Sequence, residues 1–178
     1  MEPIIFEGKV FQLLGCVFYG DPFHSAEEWS YENEIGKLWE RYIELSMRKY
    51  PLLLRKISVD SYIGYELHLE PNEYEETKKY YVMVGTEVNN IEEIPLEMFI
   101  KILPKTTYIN FTTTIETKFE IGGYIYKQWI PENSYEQAFP YVIQGYDGRR
   151  YKGLDDPKSE IDWYIPVKKI IKKKIRTI

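Results

Sequence analysis

The chain has 178 residues, which is enough for one domain, or for two closely packed halves, to bury a core without disulfide staples. Its net charge at pH 7 is −5, but residues 168–178 hold six of the 23 basic groups and no acidic group, so the rest carries 17 basic against 28 acidic groups. A body this acidic repels phosphate backbones, which argues against direct binding of nucleic acid.

A single cysteine and the character of the amino terminus predict a protein of the reducing cytoplasm. Cys16 alone cannot form an intrachain disulfide. The amino terminus carries Glu2 and Glu7 and lacks the basic-then-apolar order of a signal peptide, and no apolar run approaches the length of a membrane span. We therefore expect a cytoplasmic protein that does not contact a membrane. The glycosylation sequon at 110–112 is then expected to be idle.

The first half of the chain predicts a strand, a helix and two further strands. Apolar residues between 34 and 50 recur with the i, i+3, i+4 spacing of one buried helical stripe, and Pro51 is predicted to end that helix. Segments rich in β-branched or alternating apolar residues are predicted strands, at 10–18, 62–69 and 80–88, with a polar turn at 70–73.

The second half repeats this order. Residues 115–130 are predicted to form a helix that Pro131 ends, although Gly122 and Gly123 each cost roughly 1 kcal/mol relative to alanine inside a helix. A close approach to another backbone would explain the two glycines, and a break into two shorter helices is the alternative. The strands predicted in this half lie at 107–113, 141–146 and 161–167.

The repeated order predicts an α+β fold made of duplicated strand-helix-strand-strand units. We expect a single domain whose halves span about 1–90 and 91–167. Its antiparallel sheet would carry the two main helices on one face, with a ligand cleft where the halves meet. The basic tail at 168–178 is predicted to be a solvated extension with partly docked isoleucines, and binding of an anionic partner is the alternative.

The sequence contains no evident constellation for catalysis or metal binding. His24 and His68 are the only histidines and lie far apart, and there is no glycine-rich phosphate loop, helix-turn-helix or zinc finger. We expect no metal, no cofactor and no catalytic residue. The sequence favours binding over enzymatic activity without deciding between them.

Aromatic residues are the strongest indication of function. They make up 16% of the chain, with 17 Tyr, which favours a pocket whose flat walls contact apolar small molecules; a tyrosine-rich core is the alternative. Gln144 and Tyr146 share one face of a predicted strand, and a glutamine that ends an apolar run suggests a polar group at the pocket floor. The candidate ligand-binding residues are Trp39, Tyr42, Tyr62, Tyr81, Tyr126, Trp129, Gln144, Tyr146 and Trp163.

Several short segments, which run in order along nearly the whole chain, carry a family resemblance. These segments lie at 38–42, 62–65, 81–88, 94–95, 104–108, 128–135 and 161–167. Together they resemble a GyrI-like small-molecule-binding domain, the effector-binding domain also found at the carboxyl ends of AraC-type and MerR-type regulators. The resemblance implies the duplicated fold described above, and a hydrophobic or cationic amphipathic small molecule as the ligand.

The resemblance also implies a role for position 144. In that family, the strand after the Trp-Ile-Pro segment usually carries a glutamate two residues before a tyrosine, and the carboxylate meets the positive charge of lipophilic cations. Gln144 and Tyr146 match these two positions, so a neutral amide stands where a carboxylate is expected. Selection of cations would then require Glu66, Glu40 or Glu87 to supply the charge from another wall.

Three functional hypotheses follow. The first is a cytoplasmic sensor, or transcription-regulator-like effector-binding protein, that binds amphipathic hydrophobic small molecules and has no DNA-binding domain of its own. The second is a small hydrolase of strained or reactive compounds that uses Tyr146, Trp129 and a carboxylate such as Glu66, since a glutamine cannot act as acid or base. The third is an interaction module that modulates a topoisomerase or a separately encoded regulator through its basic tail.

Overall fold

A nine-stranded sheet forms the centre of the protein. The computed structural model describes residues 2–89 and 91–170, and the strand pairings within them are antiparallel. The predicted α+β class with an antiparallel sheet is confirmed. The strands are β1 (Ile4–Lys9), β2 (Gln12–Gly20), β3 (Ile63–Leu69), β4 (Tyr80–Glu87), β5 (Phe99–Ile102), β6 (Thr106–Thr114), β7 (Tyr135–Gln137), β8 (Tyr141–Asp147) and β9 (Glu160–Lys169).

The order of the strands is mirrored about the centre of the sheet. It runs β1-β6-β9-β8-β3-β4-β2-β5, with β7 added beside β9. The central pair is β3 and β8. On the side of β3, the next strands are β4 and then β2, and on the side of β8 they are β9 and then β6, so each half adds its last strand and then its first long strand. The first long strand after the main helix of one half, β3, therefore lies next to its counterpart from the other half, β8.

The main helix of each half begins near its predicted position and passes through a π-helical segment. Asn33 explains the start of the first helix, because its Oδ1 accepts a hydrogen bond from Gly36 N at 2.9 Å. The helices are α1 (Glu34–Glu44), α2 (Pro51–Ile57), α3 (Tyr74–Thr77), α4 (Lys118–Tyr124) and α5 (Ile130–Glu132), and the π-helical segments are Leu45–Lys49 and Ile125–Trp129.

The first main helix ends next to Pro51 as predicted, since the helical stretch stops at Lys49 and Tyr50 is not helical, whereas the prediction that Pro131 ends the second helix is wrong. Pro51 is the first residue of α2, and Pro131 lies in the first turn of α5. A proline has no N–H to donate, which costs little in the first turn of a helix because the N–H groups there have no intrahelical acceptor. In the first half, a separate helix, α2, thus follows the non-helical Tyr50, while in the second half the helical stretch continues past Pro131 to Glu132.

Gly122 and Gly123 lie inside α4, which continues unbroken through both residues. A Cβ added to either glycine would have no heavy atom within 4 Å outside its own helix. Neither residue has a positive φ. Both explanations that the sequence offered, a close backbone approach and a break, are therefore wrong, and the two glycines have no packing role in this structure.

Apolar clusters lie on both faces of the sheet. On one face, Leu67 and Met83 belong to a cluster formed by residues of the strands and of the short connections beside them, without a contribution from the described helices. On the other face, Val84 packs with residues of α1 and α2, and Phe111 packs with residues of α4 and the following π-helical segment. Because successive side chains of a strand alternate between faces, Met83 and Val84 separate the two layers. Both main helices lie on the same face, as predicted.

The short outer elements β1, β5, β7 and α3 have no counterpart in the sequence prediction. The side chains of β1 and β5 are mostly exposed, so neither strand has the alternating apolar pattern that predicts a half-buried strand. Within the basic tail, Lys168 and Lys169 extend β9, and Lys168 Nζ lies 3.1 Å from Glu136 Oε1. Residues 171–178, on which the rest of the tail prediction depends, lie outside the described residues.

Two further observations bear on the expectations about secretion and membranes. Asn110, the acceptor residue of the sequon, is 5% exposed in the middle of β6, so its side chain is not available for modification in the folded protein. Along the part of the chain that the structure describes, no helix combines the length and the apolar character needed to cross a membrane.

Candidate functional site

A cavity of about 570 Å³ lies over the two central strands, on the face of the sheet that carries the helices. Its floor comes from β3 and β8, and one wall comes from α1. Cavities of this size suit small organic molecules. The floor residues are Gly64, Glu66, His68, Gln144 and Tyr146, and the aromatic and aliphatic walls include Phe23, Trp29, Tyr31, Ile35, Trp39, Ile43, Tyr62, Tyr151 and Leu154.

A buried carboxylate, Glu66, lies at the centre of this floor. The residue is 5% exposed, and its Oε2 accepts a hydrogen bond from Trp39 Nε1 at 2.6 Å. His68 Nε2 lies 2.5 Å from the other oxygen, Oε1. Burying an ionised carboxylate is costly unless its oxygens are hydrogen-bonded, and here both oxygens have partners. The site therefore holds a carboxylate within an aromatic cavity.

The sheet register places Glu66 directly opposite Gln144. These residues are Cα partners between β3 and β8, and their side chains point to the same face. The Tyr146 hydroxyl joins them, since it donates to Gln144 Oε1 at 2.5 Å and lies 3.5 Å from Glu66 Oε2. Burial and the Glu66 carboxylate raise the pKa of Tyr146 well above its ordinary value, so the hydroxyl stays protonated.

Gly64 makes room for the indole ring of Trp39. A Cβ at position 64 would lie 2.7 Å from Trp39 Cη2, which is closer than real Cβ atoms approach. The indole ring also stands edge-on to Tyr146, with ring centroids 5.3 Å apart and planes at 83°. Tyr151 makes a similar contact with Tyr146, at 4.9 Å and 76°. These contacts hold the aromatic wall close to the carboxylate.

The segment 21–33, between β2 and α1, covers the cavity and reaches the second half of the chain. Its Trp29 ring lies 6.3 Å from that of Trp163, and the Tyr31 hydroxyl accepts a hydrogen bond from Leu154 N at 2.8 Å. Trp29 has a positive φ of 62°, which is rare and strained for a bulky residue, and its buried Nε1 has no hydrogen-bond partner among the described residues. Sequence analysis missed this segment because it has no periodic pattern.

The cavity carries negative charge. Among the described residues that line it, the ionisable side chains are Glu28, Glu40, Glu66, His68 and the tyrosines, with no lysine or arginine. A second, more open groove of about 540 Å³ adjoins the cavity at His68, which lines both. Tyr126, Phe139 and Glu70 are among the other residues of that groove. Within residues 2–89 and 91–170, no group of three or more potential metal ligands occurs.

The structure brings together four of the nine predicted ligand-binding residues. Trp39, Gln144 and Tyr146 line the cavity deeply, and Tyr62 lines its rim with 65% of its surface exposed. Glu66, which the sequence analysis proposed as one of three substitutes for the family glutamate and as the carboxylate of the hydrolase hypothesis, is the carboxylate on the floor. The alternation of residues on β3 was a usable signal for it, because Glu66 shares a face with Gly64.

The other five predicted residues lie elsewhere. Tyr42 and Trp129 are 8% and 4% exposed and belong to the clusters beneath the helices. Tyr81 pairs with Tyr19 on β2. Tyr126 lines the second groove, and Trp163 donates through Nε1 to Thr113 Oγ1 beneath Trp29.

Of the residues proposed for other roles, Glu87 and Trp129 lie outside the cavity, whereas Glu40 lines it. Glu87, a candidate substitute carboxylate, forms an ion pair with Lys9 and does not line the cavity. Glu40 lines the cavity, but its side chain lies on the exposed side of α1. Trp129, which the hydrolase hypothesis combined with Tyr146 and Glu66, stacks on Tyr135 within the core. The cavity therefore combines a single buried carboxylate with aromatic walls.

Residues 5–167 match the model of a family described as integron-associated effector-binding protein. The chain belongs to this family. The integron cassette protein from the mobile metagenome of Vibrio cholerae has a similar fold, with 17% identity and a TM-score of 0.54 over 94% of this chain and 96% of that chain. Among curated proteins, none matches the chain significantly.

Two other solved structures share the fold of this effector-binding chain. SAV2435, bound to tetraphenylphosphonium, is 15% identical with a TM-score of 0.65 over 94% of each chain. The C-terminal domain of EcmrR is 16% identical with a TM-score of 0.64 over 95% of this chain and 98% of that domain. The predicted GyrI-like effector-binding fold is confirmed.

Proposed function

We propose that this protein binds a hydrophobic, amphipathic small molecule with a positive charge in the cavity over β3 and β8. The observation that carries the proposal is the buried Glu66 carboxylate within aromatic walls. Membership in an effector-binding family supports small-molecule binding, and SAV2435, which shares the fold, is bound to tetraphenylphosphonium.

The physical reasons for a cation lie in the charge and the rings of the site. A ligand cation near Glu66 gains Coulomb attraction in a water-poor cavity, and the faces of Trp39 and Tyr146 add cation–π attraction. The lining has carboxylates but no lysine or arginine among the described residues, so an anionic ligand would meet like charge. The walls then contact the apolar body of the ligand.

The proposed biological role is that of a cytoplasmic sensor whose ligand-bound state is recognised by a regulatory protein partner. The effector-binding family and the shared fold of the EcmrR C-terminal domain support this role. The acidic body disfavours direct contact with nucleic acid, so the signal would pass through protein contacts.

Titration with tetraphenylphosphonium, followed by tryptophan fluorescence and calorimetry, tests the proposed ligand class. We expect Glu66→Gln to raise the Kd about 10- to 100-fold, because a neutral amide cannot offset the ligand charge. Glu40→Gln is the matched control, since Glu40 lines the same cavity from a solvent-exposed position. Equal affinities of the two variants, or no binding of tetraphenylphosphonium by the wild type, would contradict the proposal.

A further inference from the structure

His68 lies where the cavity meets the second groove. It is two residues after Glu66 on β3, so the two side chains lie on the same face of the strand. Its Nε2 is 2.5 Å from Glu66 Oε1, and its side chain is 23% exposed. The imidazole ring stacks on Tyr80 of β4, with centroids 5.7 Å apart and planes at 26°. The ring is therefore fixed against the carboxylate but remains in contact with solvent.

Among the described side chains that contact the Glu66 carboxylate, His68 is the one of a residue type whose charge ordinarily changes near neutral pH. Trp39 donates through an indole N–H, which does not ionise. The Tyr146 hydroxyl stays protonated because burial and Glu66 raise its pKa. Histidine ordinarily titrates in the range of about pH 5 to 8. The net charge of the Glu66–His68 pair is thus negative with a neutral imidazole and zero with a protonated one.

The surroundings of His68 hold no competing cation. Among the described residues, neither the cavity nor the second groove is lined by lysine or arginine. Burial raises the pKa of Tyr80, and it raises that of Tyr126 to about 12, so these phenols stay neutral. The titratable groups around His68 are Glu66 and Glu70 on or after its own strand, Tyr80 from β4 with Tyr74 behind it, Tyr146 from β8, Tyr126 from the second half, Glu40 from α1, and Glu28 from the segment 21–33.

We propose that His68 is a specificity-determining residue that sets the charge of the ligand the cavity accepts. With a neutral imidazole, which donates through Nε2 to Glu66, the site takes a lipophilic cation. With a protonated imidazole, the Glu66 charge is already balanced, and the site takes a neutral amphipathic molecule of similar shape. This inference rests on the proposed function, because it assumes that Glu66 is the ligand's counter-charge.

Two probes of similar shape but different charge test the inference by calorimetry. Tetraphenylphosphonium is cationic and triphenylphosphine oxide is neutral. For the wild type, we expect the Kd of the cation to rise about five- to twentyfold between about pH 8 and about pH 5.5, while the Kd of the neutral probe stays constant or falls. In His68→Asn, the Kd of the cation should vary less than about twofold over the same range.

A titration of His68 itself gives a second measurement without changing the site. The chain has two histidines, and His24→Asn removes the other one, whose side chain is 59% exposed and lies outside the cavity lining. The imidazole carbon-bound proton of His68 then reports its titration by NMR. By thermodynamic reciprocity, a cation that prefers the neutral imidazole must lower the midpoint of this titration, and the neutral probe must not lower it.

The outcomes separate this inference from the proposed function. If the cation binds equally well at both pH values, or if His68→Asn keeps the wild-type pH dependence, the role of His68 is rejected while the proposed function stands. A midpoint that does not fall when tetraphenylphosphonium saturates the protein also rejects it. If the wild type binds tetraphenylphosphonium at neither pH, both proposals fail. Should His68→Asn not fold, the NMR titration decides alone.

Discussion

Glu66 and Gln144 face each other across the two central strands, and the Tyr146 hydroxyl lies within 3.5 Å of both side chains. The Tyr146 hydroxyl can therefore interact with a side chain at either position. A carboxylate moved from one strand to the other would stay beside the same hydroxyl and within the same aromatic walls, because the two side chains occupy the same face of the sheet.

This geometry predicts that the charge can be exchanged between the strands. The double variant Glu66→Gln with Gln144→Glu should bind tetraphenylphosphonium within about threefold of the wild type, whereas Glu66→Gln alone should lose most of the affinity. Gln144→Glu alone should lower the melting temperature, since two carboxylates would then lie directly opposite each other. Calorimetric Kd values and thermal melts of all three variants check this. A double variant as weak as Glu66→Gln would show that the position of the charge matters.

A second prediction concerns the room that Gly64 provides. Gly64→Ala should displace the Trp39 ring, break its hydrogen bond to Glu66, and destabilise the protein by about 1–3 kcal/mol. Tryptophan emission, the Kd for tetraphenylphosphonium and urea unfolding measure the three effects. Gly148→Ala is the control: Gly148 also lines the cavity, but its added Cβ would meet only Tyr62 O, at an ordinary 3.5 Å. Similar behaviour of both variants would contradict the role assigned to Gly64.

A third prediction follows from the unpacked glycines of α4. Gly122→Ala and Gly123→Ala should each stabilise the protein by about 0.5–1 kcal/mol, because alanine restricts the unfolded chain and favours helix. Gly36→Ala, also within a helix, provides the contrast, because its Cβ would lie 2.2 Å from Tyr31 O and must destabilise. Urea-unfolding free energies of the three variants decide the matter. A loss of stability in both α4 variants would reveal a packing role for these glycines.

A fourth prediction concerns stability in acid. Hydrogen bonds from Arg149 lower the pKa of Asp147 to about 2, and Asp147 Oδ1 accepts from Arg149 Nε at 2.7 Å. A carboxyl whose pKa is lower in the folded state stabilises the fold above its unfolded pKa, near 4, and this contribution is lost as the pH falls towards 2. Asp147→Asn should therefore lower the urea midpoint at pH 7, and its difference from wild type should disappear near pH 2.

Asp155→Asn is the control for the acid prediction. Asp155 is an exposed residue of the connection that follows Asp147, between β8 and β9, so its replacement should leave the urea midpoint nearly unchanged at all pH values. If the two variants respond alike, Asp147 does not contribute through its ionised form.

The central strands and both main helices could be predicted because their residues bury one face. Glu34 to Glu44 follows a helical stripe, and the predicted strand at 141–146 lies entirely within β8. The edges could not be predicted, because the exposed side chains of β1 carry no such pattern. Pro131 misled because a missing N–H ends a helix in the interior but suits a first turn.

The site was predictable in part for a related reason. Alternation along one strand put Gln144 and Tyr146 on a common face, and register then placed both in the cavity. The sequence did not show that β3 pairs with β8, because this pairing depends on contacts between distant parts of the chain. Tyr42 and Trp129 show the converse limit, since helical spacing identifies a buried aromatic without saying whether it faces core or ligand.

The mirrored strand order also affects how such proteins are compared. The family resemblance implies a glutamate where this chain has Gln144, so a comparison limited to that one position would suggest a neutral binding site. In the folded chain, the carboxylate is that of Glu66 on β3, which is the counterpart of β8 in the first half and lies next to it. Proteins of this architecture are therefore better compared by asking whether either central strand supplies a carboxylate to the cavity floor than by comparing the residue at one sequence position.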